Sequence, residues 1–223
     1  MSSLKQSFIN KYLDPGDSLG EIVFGLIMVL TFTLGTSLST GQGEGATRTL
    51  LIAAIGCNLA WGIIDGLMYV MECMFERGRQ ARLILKIHST QNPEGAVAAI
   101  AADLDEKLDP ISTPGARRLF YEDVVATIRS RKPVLTRVKR DDIYGGVASF
   151  LLVFFTAIPG ALPFMFIDSP RIALRTSNAV LIAMLFVVGY QWGRKTNARP
   201  LGAGLFLVLF GMLLVFIAIA LGG

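Results

Sequence analysis

The sequence predicts an all-α membrane protein: five transmembrane helices, with a small helical cytoplasmic insert between spans two and three. Three observations carry this. Apolar residues gather in five segments, roughly 19–38, 50–75, 147–167, 172–192 and 201–221, each able to supply the ~20 residues that cross a hydrocarbon core. These runs are continuous, which favours helices over the alternating strands of a barrel. The chain of 223 residues is 52% hydrophobic, with a mean hydropathy of +0.55, beyond what a soluble domain of this length shows. Cations, finally, are unevenly placed between the segments. The organisation that follows is an arm over 1–18, spans one and two over 19–75, the insert over 76–142 and spans three to five over 143–223.

The arm comes first. Leu4, Phe8, Ile9, Tyr12 and Leu13 line one side of a short helix, with Lys5 and Lys11 placed to meet anionic head groups. Asp14-Pro15-Gly16-Asp17 then turns the chain into span one. That span starts late and lacks a clear small-residue cleavage site, so it reads as a retained helix rather than a signal peptide. Glu21 opens it, as an interfacial carboxylate or one at a pore mouth. The Gly-rich loop, 39–45, lacks the lysine-serine pair of a phosphate-binding loop and reads as a plain turn.

The second span carries the strongest functional signal. Asp65 stands in its middle, with Asn58 seven residues before it and Glu72 seven after. Seven residues are nearly two helical turns, so the three share one stripe. A carboxylate near the bilayer centre costs about 2.5 kcal/mol or more to insert and by default faces a partner helix or a watery path. Asp65 is therefore the expected ion or proton site, with Asn58 and Glu72 as steps along the path. Gly62 and Gly66 form a small-xxx-small pair that lets another helix approach closely. Cys57, Met68 and Met71 could add sulfur to a metal site, or simply pack.

In the insert, Asn92 as cap and Pro93 at the first position predict a helix to about Leu108. Its face is Val97, Ile100, Ala101, Leu104 and Leu108. Thr113-Pro114 predicts another, with Leu119, Val124, Val125 and Ile128 buried. Gly78–His88 reads as a continuation of span two. Asp103 and Glu106, three apart on one helix, could share a cation, with Glu122 nearby in sequence; the alternative is solvated acids facing arginines. In span three, Pro159-Gly160 and Pro163 predict a kink or break of the kind that lines substrate sites in transporters.

Several functions are excluded. Cys57 and Cys73 lie sixteen residues apart on one helix, roughly 24 Å, too far to bridge within one chain. His88 is the single histidine, and no His/Cys spacing fits zinc. No nucleophile elbow or Ser-His-Asp set stands in the spans, so the chain does not read as an enzyme. The net charge of +4 concentrates beside the spans, which points to head groups rather than nucleic acid. The insert, the arm and the loop with Arg194, Lys195 and Arg199 hold most cations, predicting a cytoplasmic N-terminus and an external C-terminus. No eukaryotic targeting signal is evident, which points to a bacterial inner membrane.

The run Gly20-Glu21-Ile22-Val23-Phe24-Gly25-Leu26 resembles the opening of the vacuolar iron transporter family. Ala157-Ile158-Pro159-Gly160-Ala161-Leu162-Pro163-Phe164 resembles its proline-bearing segment. The five-span layout with a helical insert is similar too. The resemblance implies a homodimer that exchanges divalent iron or manganese for protons, with insert acids, here Asp103, Glu106 and Glu122, collecting the metal. It implies no resident cofactor, since the metal is cargo. Where the family places an Asn-Asp-Gly-like stretch in span one, this chain has Ile27-Met28-Val29; Asp65 on the neighbouring helix is the expected replacement. Two other readings stay open: a non-transporting scaffold that binds a partner through its insert, and a carrier or channel for a non-metal solute.

Overall fold

The structure, a computed structural model, describes residues 8–38, 44–131 and 137–221. The described residues form helices and contain no strand. After a short helix α1 (Phe8–Tyr12) come α2 (Pro15–Leu38), α3 (Glu44–Ser89), α4 (Pro93–Leu108), α5 (Pro114–Ser130), α6 (Arg140–Phe166), α7 (Pro170–Lys195) and α8 (Pro200–Ala220). Helices α2, α3, α6, α7 and α8 are long and apolar enough to cross a membrane. The chain separates into two compact units, Met1–Val70 with Arg140–Gly223, and Met71–Lys139.

In the first unit, the core is formed by Leu26 and Leu30 of α2, Ala157 of α6, Leu181 and Leu185 of α7 and Val215 of α8. Lipid tails are as apolar as these side chains, so close packing rather than water exclusion favours the contact. That places a premium on small residues. Gly66 of α3 lies against Gly146 of α6: a Cβ at position 66 would sit 2.6 Å from the Gly146 carbonyl oxygen. Gly62 meets Phe150 one turn away. The small-residue pair read in span two is therefore occupied inside the chain, by α6.

Both prolines of span three stay within an unbroken α6, so the break allowed by the sequence does not occur. Membrane helices tolerate proline when neighbours satisfy the freed backbone. Apart from that, the Ser177 hydroxyl of α7 donates to the Gly160 carbonyl at 2.7 Å and ties α7 to α6 beside the prolines. The arm is docked rather than free. Leu13 is buried, the Tyr69 hydroxyl donates to the Tyr12 carbonyl at 2.8 Å, and the Tyr12 and Tyr144 rings lie 5.5 Å apart. Leu4, Lys5 and most of the Gly-rich loop lie outside the described residues.

α3 is continuous to Ser89, so Gly78–His88 does prolong the second span. In the second unit, the Asn92 side chain caps α4 by accepting from the Glu94 amide, and Thr113 caps α5 through the Ala116 amide. Ile87, Ala96, Ile100, Tyr121 and Val125 form its core. Leu119, expected inside, is 70% exposed. The buried face of α5 is Tyr121, Val124, Val125 and Ile128, which follow i, i+3, i+4, i+7; Leu119 falls off that stripe.

Candidate functional site

Two polar layers cross the first unit. α2 and α6 run parallel through it and α3 antiparallel, as the paired contacts 25 with 156, 58 with 153 and 66 with 146 require. In the first layer Asn58 is fully buried. Its Nδ2 donates to the Val153 carbonyl at 3.0 Å and the Gly25 carbonyl at 3.3 Å, and contacts Thr156 Oγ1 at 3.4 Å. This amide joins three helices. Gly25 is required there, since a Cβ would sit 2.0 Å from Thr156 Oγ1. Asn58 Oδ1 is buried without a donor among the described residues.

The second layer holds the acids. Glu21 of α2 and Asp65 of α3, both half-buried, stand side by side with their carboxyls in reach of each other. Ser149 of α6 donates its hydroxyl to Glu21 Oε1 at 2.8 Å. Asp65 Oδ2 is buried and has no donor among the described residues. No arginine or lysine pairs with either carboxyl among the described residues. Oxygen is the donor type throughout this layer. Met68 and Met71 are 59% exposed and turn away from it.

The stripe read from the sequence thus divides. Asn58 and Asp65 face inward, while Glu72 is exposed and belongs to the second unit. Glu21, read as a residue at the span end, is instead the direct partner of Asp65. Ser149 and Thr156 were missed. A signal for them existed: Asp142, Ser149 and Thr156 are buried and seven residues apart on α6, the same period as Asn58 and Asp65 on α3.

Of the insert acids read as metal collectors, two lie against arginines. Asp103 Oδ1 lies 2.7 Å from Arg79, and Glu122 Oε1 lies 3.0 Å from Arg118. Glu106 is exposed. Among the described residues, no three His, Cys, Asp or Glu side chains stand close enough to hold a metal ion. Cys57 and Cys73 are free thiols.

Comparison with curated proteins finds no match. The VIT family model matches residues 76–223, the insert and the last three spans, about two-thirds of the chain. Glu21, Asn58 and Asp65 precede the matched region. The proline-bearing segment 157–164 falls inside it. With five apolar helices and this match over most of its length, the chain is an integral, multi-pass membrane protein that belongs to the VIT family, a family of metal-ion membrane transporters.

Proposed function

We propose that this chain exchanges a divalent cation for protons, iron(II) or manganese(II) being the cargo the family suggests, and that Glu21 and Asp65 together form the ion and proton site. The observation that carries the proposal is the carboxyl pair inside the helical bundle. Two adjacent carboxyls can bond to each other only when one of them carries a proton, because two carboxylates offer acceptors only. Two acids in contact share protons rather than both ionise, and their titration belongs to the pair. A divalent cation entering between them supplies the positive charge that the proton supplied, so cation and proton compete for one place. Ser149 holds Glu21 toward Asp65. Asn58 ties α2, α3 and α6 together beside the pair and keeps the carboxyls in register. All-oxygen donors suit a hard cation such as Mn(II) better than a thiophilic one.

The cation asymmetry supports a cytoplasmic N-terminus and insert, with the C-terminus outside. The outward apolar face of α3, including Ile52, Ile63 and Leu67, is open for a second copy of the chain in the dimer that the family resemblance implies.

The deciding experiment is proton flux in liposomes driven by a gradient of Mn(II) or Fe(II). Metal-dependent flux is expected from the wild type and background flux from Asp65→Asn. A folded wild-type protein that moves neither metal nor proton would instead favour a scaffold.

A further inference from the structure

We propose that the first unit holds an anionic phospholipid, acyl chain inward, in an apolar slot at the basic end of its helices. The slot is walled by Leu19 and Val23 of α2, Val188 and Trp192 of α7, and Leu207 and Phe210 of α8, with a volume of about 260 Å³. Two exposed glycines leave its mouth open. Gly16 and Gly20 also line the slot, and a Cβ added at either would meet nothing within 4 Å. At the tight helix crossings of this unit, by contrast, an added Cβ collides with a neighbour, as at Gly25, Gly66 and Gly204.

The rim supplies the head-group chemistry. Trp192, 46% exposed, combines an apolar body with an N–H donor, the combination favoured at the membrane interface. Arg194 and Lys195 follow it within one turn, both exposed. The turn beyond is tightly built. Asn197 adopts φ 58°, and the Ala198 amide bonds back to the Gly193 carbonyl at 3.1 Å, a helix-ending arrangement that glycine or asparagine permits. Arg199 then precedes α8, again exposed. Three cations thus cluster on the α7–α8 rim. Asp14 and Asp17 are the opposing charges on the α2 side. The excess is positive, so a phosphodiester carrying net negative charge fits better than a zwitterionic one. A surface cation contributes about 1 kcal/mol to such binding, about fivefold in affinity per charge.

The test is native mass spectrometry of the full-length protein from mild detergent, with phosphatidylglycerol and phosphatidylcholine of identical chains at equal concentration. The expected result is one retained lipid, with phosphatidylglycerol preferred about fivefold or more. Gly20→Leu and, separately, Gly16→Leu fill the slot and are each expected to remove that single adduct. The triple variant Arg194→Gln/Lys195→Gln/Arg199→Gln is expected to keep a lipid but lose the preference. Adducts that follow a random distribution and ignore both glycine variants would overturn the proposal. So would an unchanged preference in the triple variant, or a dimer mass that the glycine variants alone dissolve, which would give the slot to a second copy of the chain.

Discussion

The acids of the two compact units are neutralised in opposite ways. In the insert, three guanidinium groups each bridge two carboxylates: Arg79 joins Glu76 and Asp103, Arg117 joins Asp105 and Asp109, and Arg118 joins Glu94 and Glu122. In the membrane unit, Glu21 and Asp65 have each other and a serine hydroxyl among the described residues. An acid with an arginine attached to the same chain carries its counter-charge permanently, and a metal must displace that arginine to bind. An acid facing another acid in a low-dielectric setting cannot stay doubly ionised, so its positive charge must arrive from outside, as a proton or a cation. On the function proposed above, location and pairing, rather than the number of carboxylates, would separate exchangeable acids from structural ones.

The largest effect that can break this contrast is on transport. Glu21→Gln and Asp65→Asn should each lower metal-driven proton flux to that of empty liposomes, and the double variant should do no further harm, because both residues serve one site. Wild-type flux with unchanged pH dependence in either folded single variant would refute the shared site. On the insert side, Asp103→Ala/Glu106→Ala should leave the metal titration of the full-length protein unchanged. A weakened titration would place cargo on the insert after all.

Next in size are effects on folding. Gly66→Leu drives a side chain into the α6 backbone and should destabilise the protein by about 1–3 kcal/mol or more, measured by denaturation in mixed micelles. A variant that keeps its stability but loses association would return that glycine pair to a dimer interface. Asn58→Leu keeps the volume and removes the bonds to Gly25 and Val153, at about 0.6–1.7 kcal/mol for a polar contact between membrane helices. Transport in the folded fraction should fall in step with the lost stability, less than in Asp65→Asn. Lost transport with unchanged stability would put Asn58 on the ion path.

Much of the fold was legible because membrane helices announce themselves by length and hydropathy, and because Asn92-Pro93 and Thr113-Pro114 are strong helix starts. Asp65 was legible because the bilayer makes a buried acid costly. Its partner was not. Glu21 lies near the start of α2, and only the crossing of α2 over α3 shows that the span end and span centre meet. The outcome for Asp103 and Glu122 turned on which arginines α3 and α5 deliver to them, a tertiary fact hidden from spacing. Pro159 and Pro163 allowed a broken helix, and whether a membrane helix carries its prolines unbroken, as α6 does, depends on neighbours from other spans that spacing does not show.

The smallest predicted effect sharpens the insert half of the contrast. Tyr121 is 3% exposed and donates its hydroxyl to Asp105 Oδ1 at 2.7 Å. Burial first, and then the hydrogen bond and charge of Asp105, push its phenol above the ordinary value. A raised pKa in the folded state means that folding favours the protonated form. The resulting stability is present in full below the unfolded tyrosine value of about 10, and is lost as pH rises from there through the folded value. Tyr121→Phe removes both the bond and the titration. Hydrogen exchange of the α4 and α5 amides, compared between wild type and variant at each pH, should show better protection in the wild type near neutrality. That advantage should shrink above about pH 10. An advantage constant across the range would mean that Tyr121 stabilises the insert through packing of its ring alone, with Asp105 held by Arg117 rather than by the phenol.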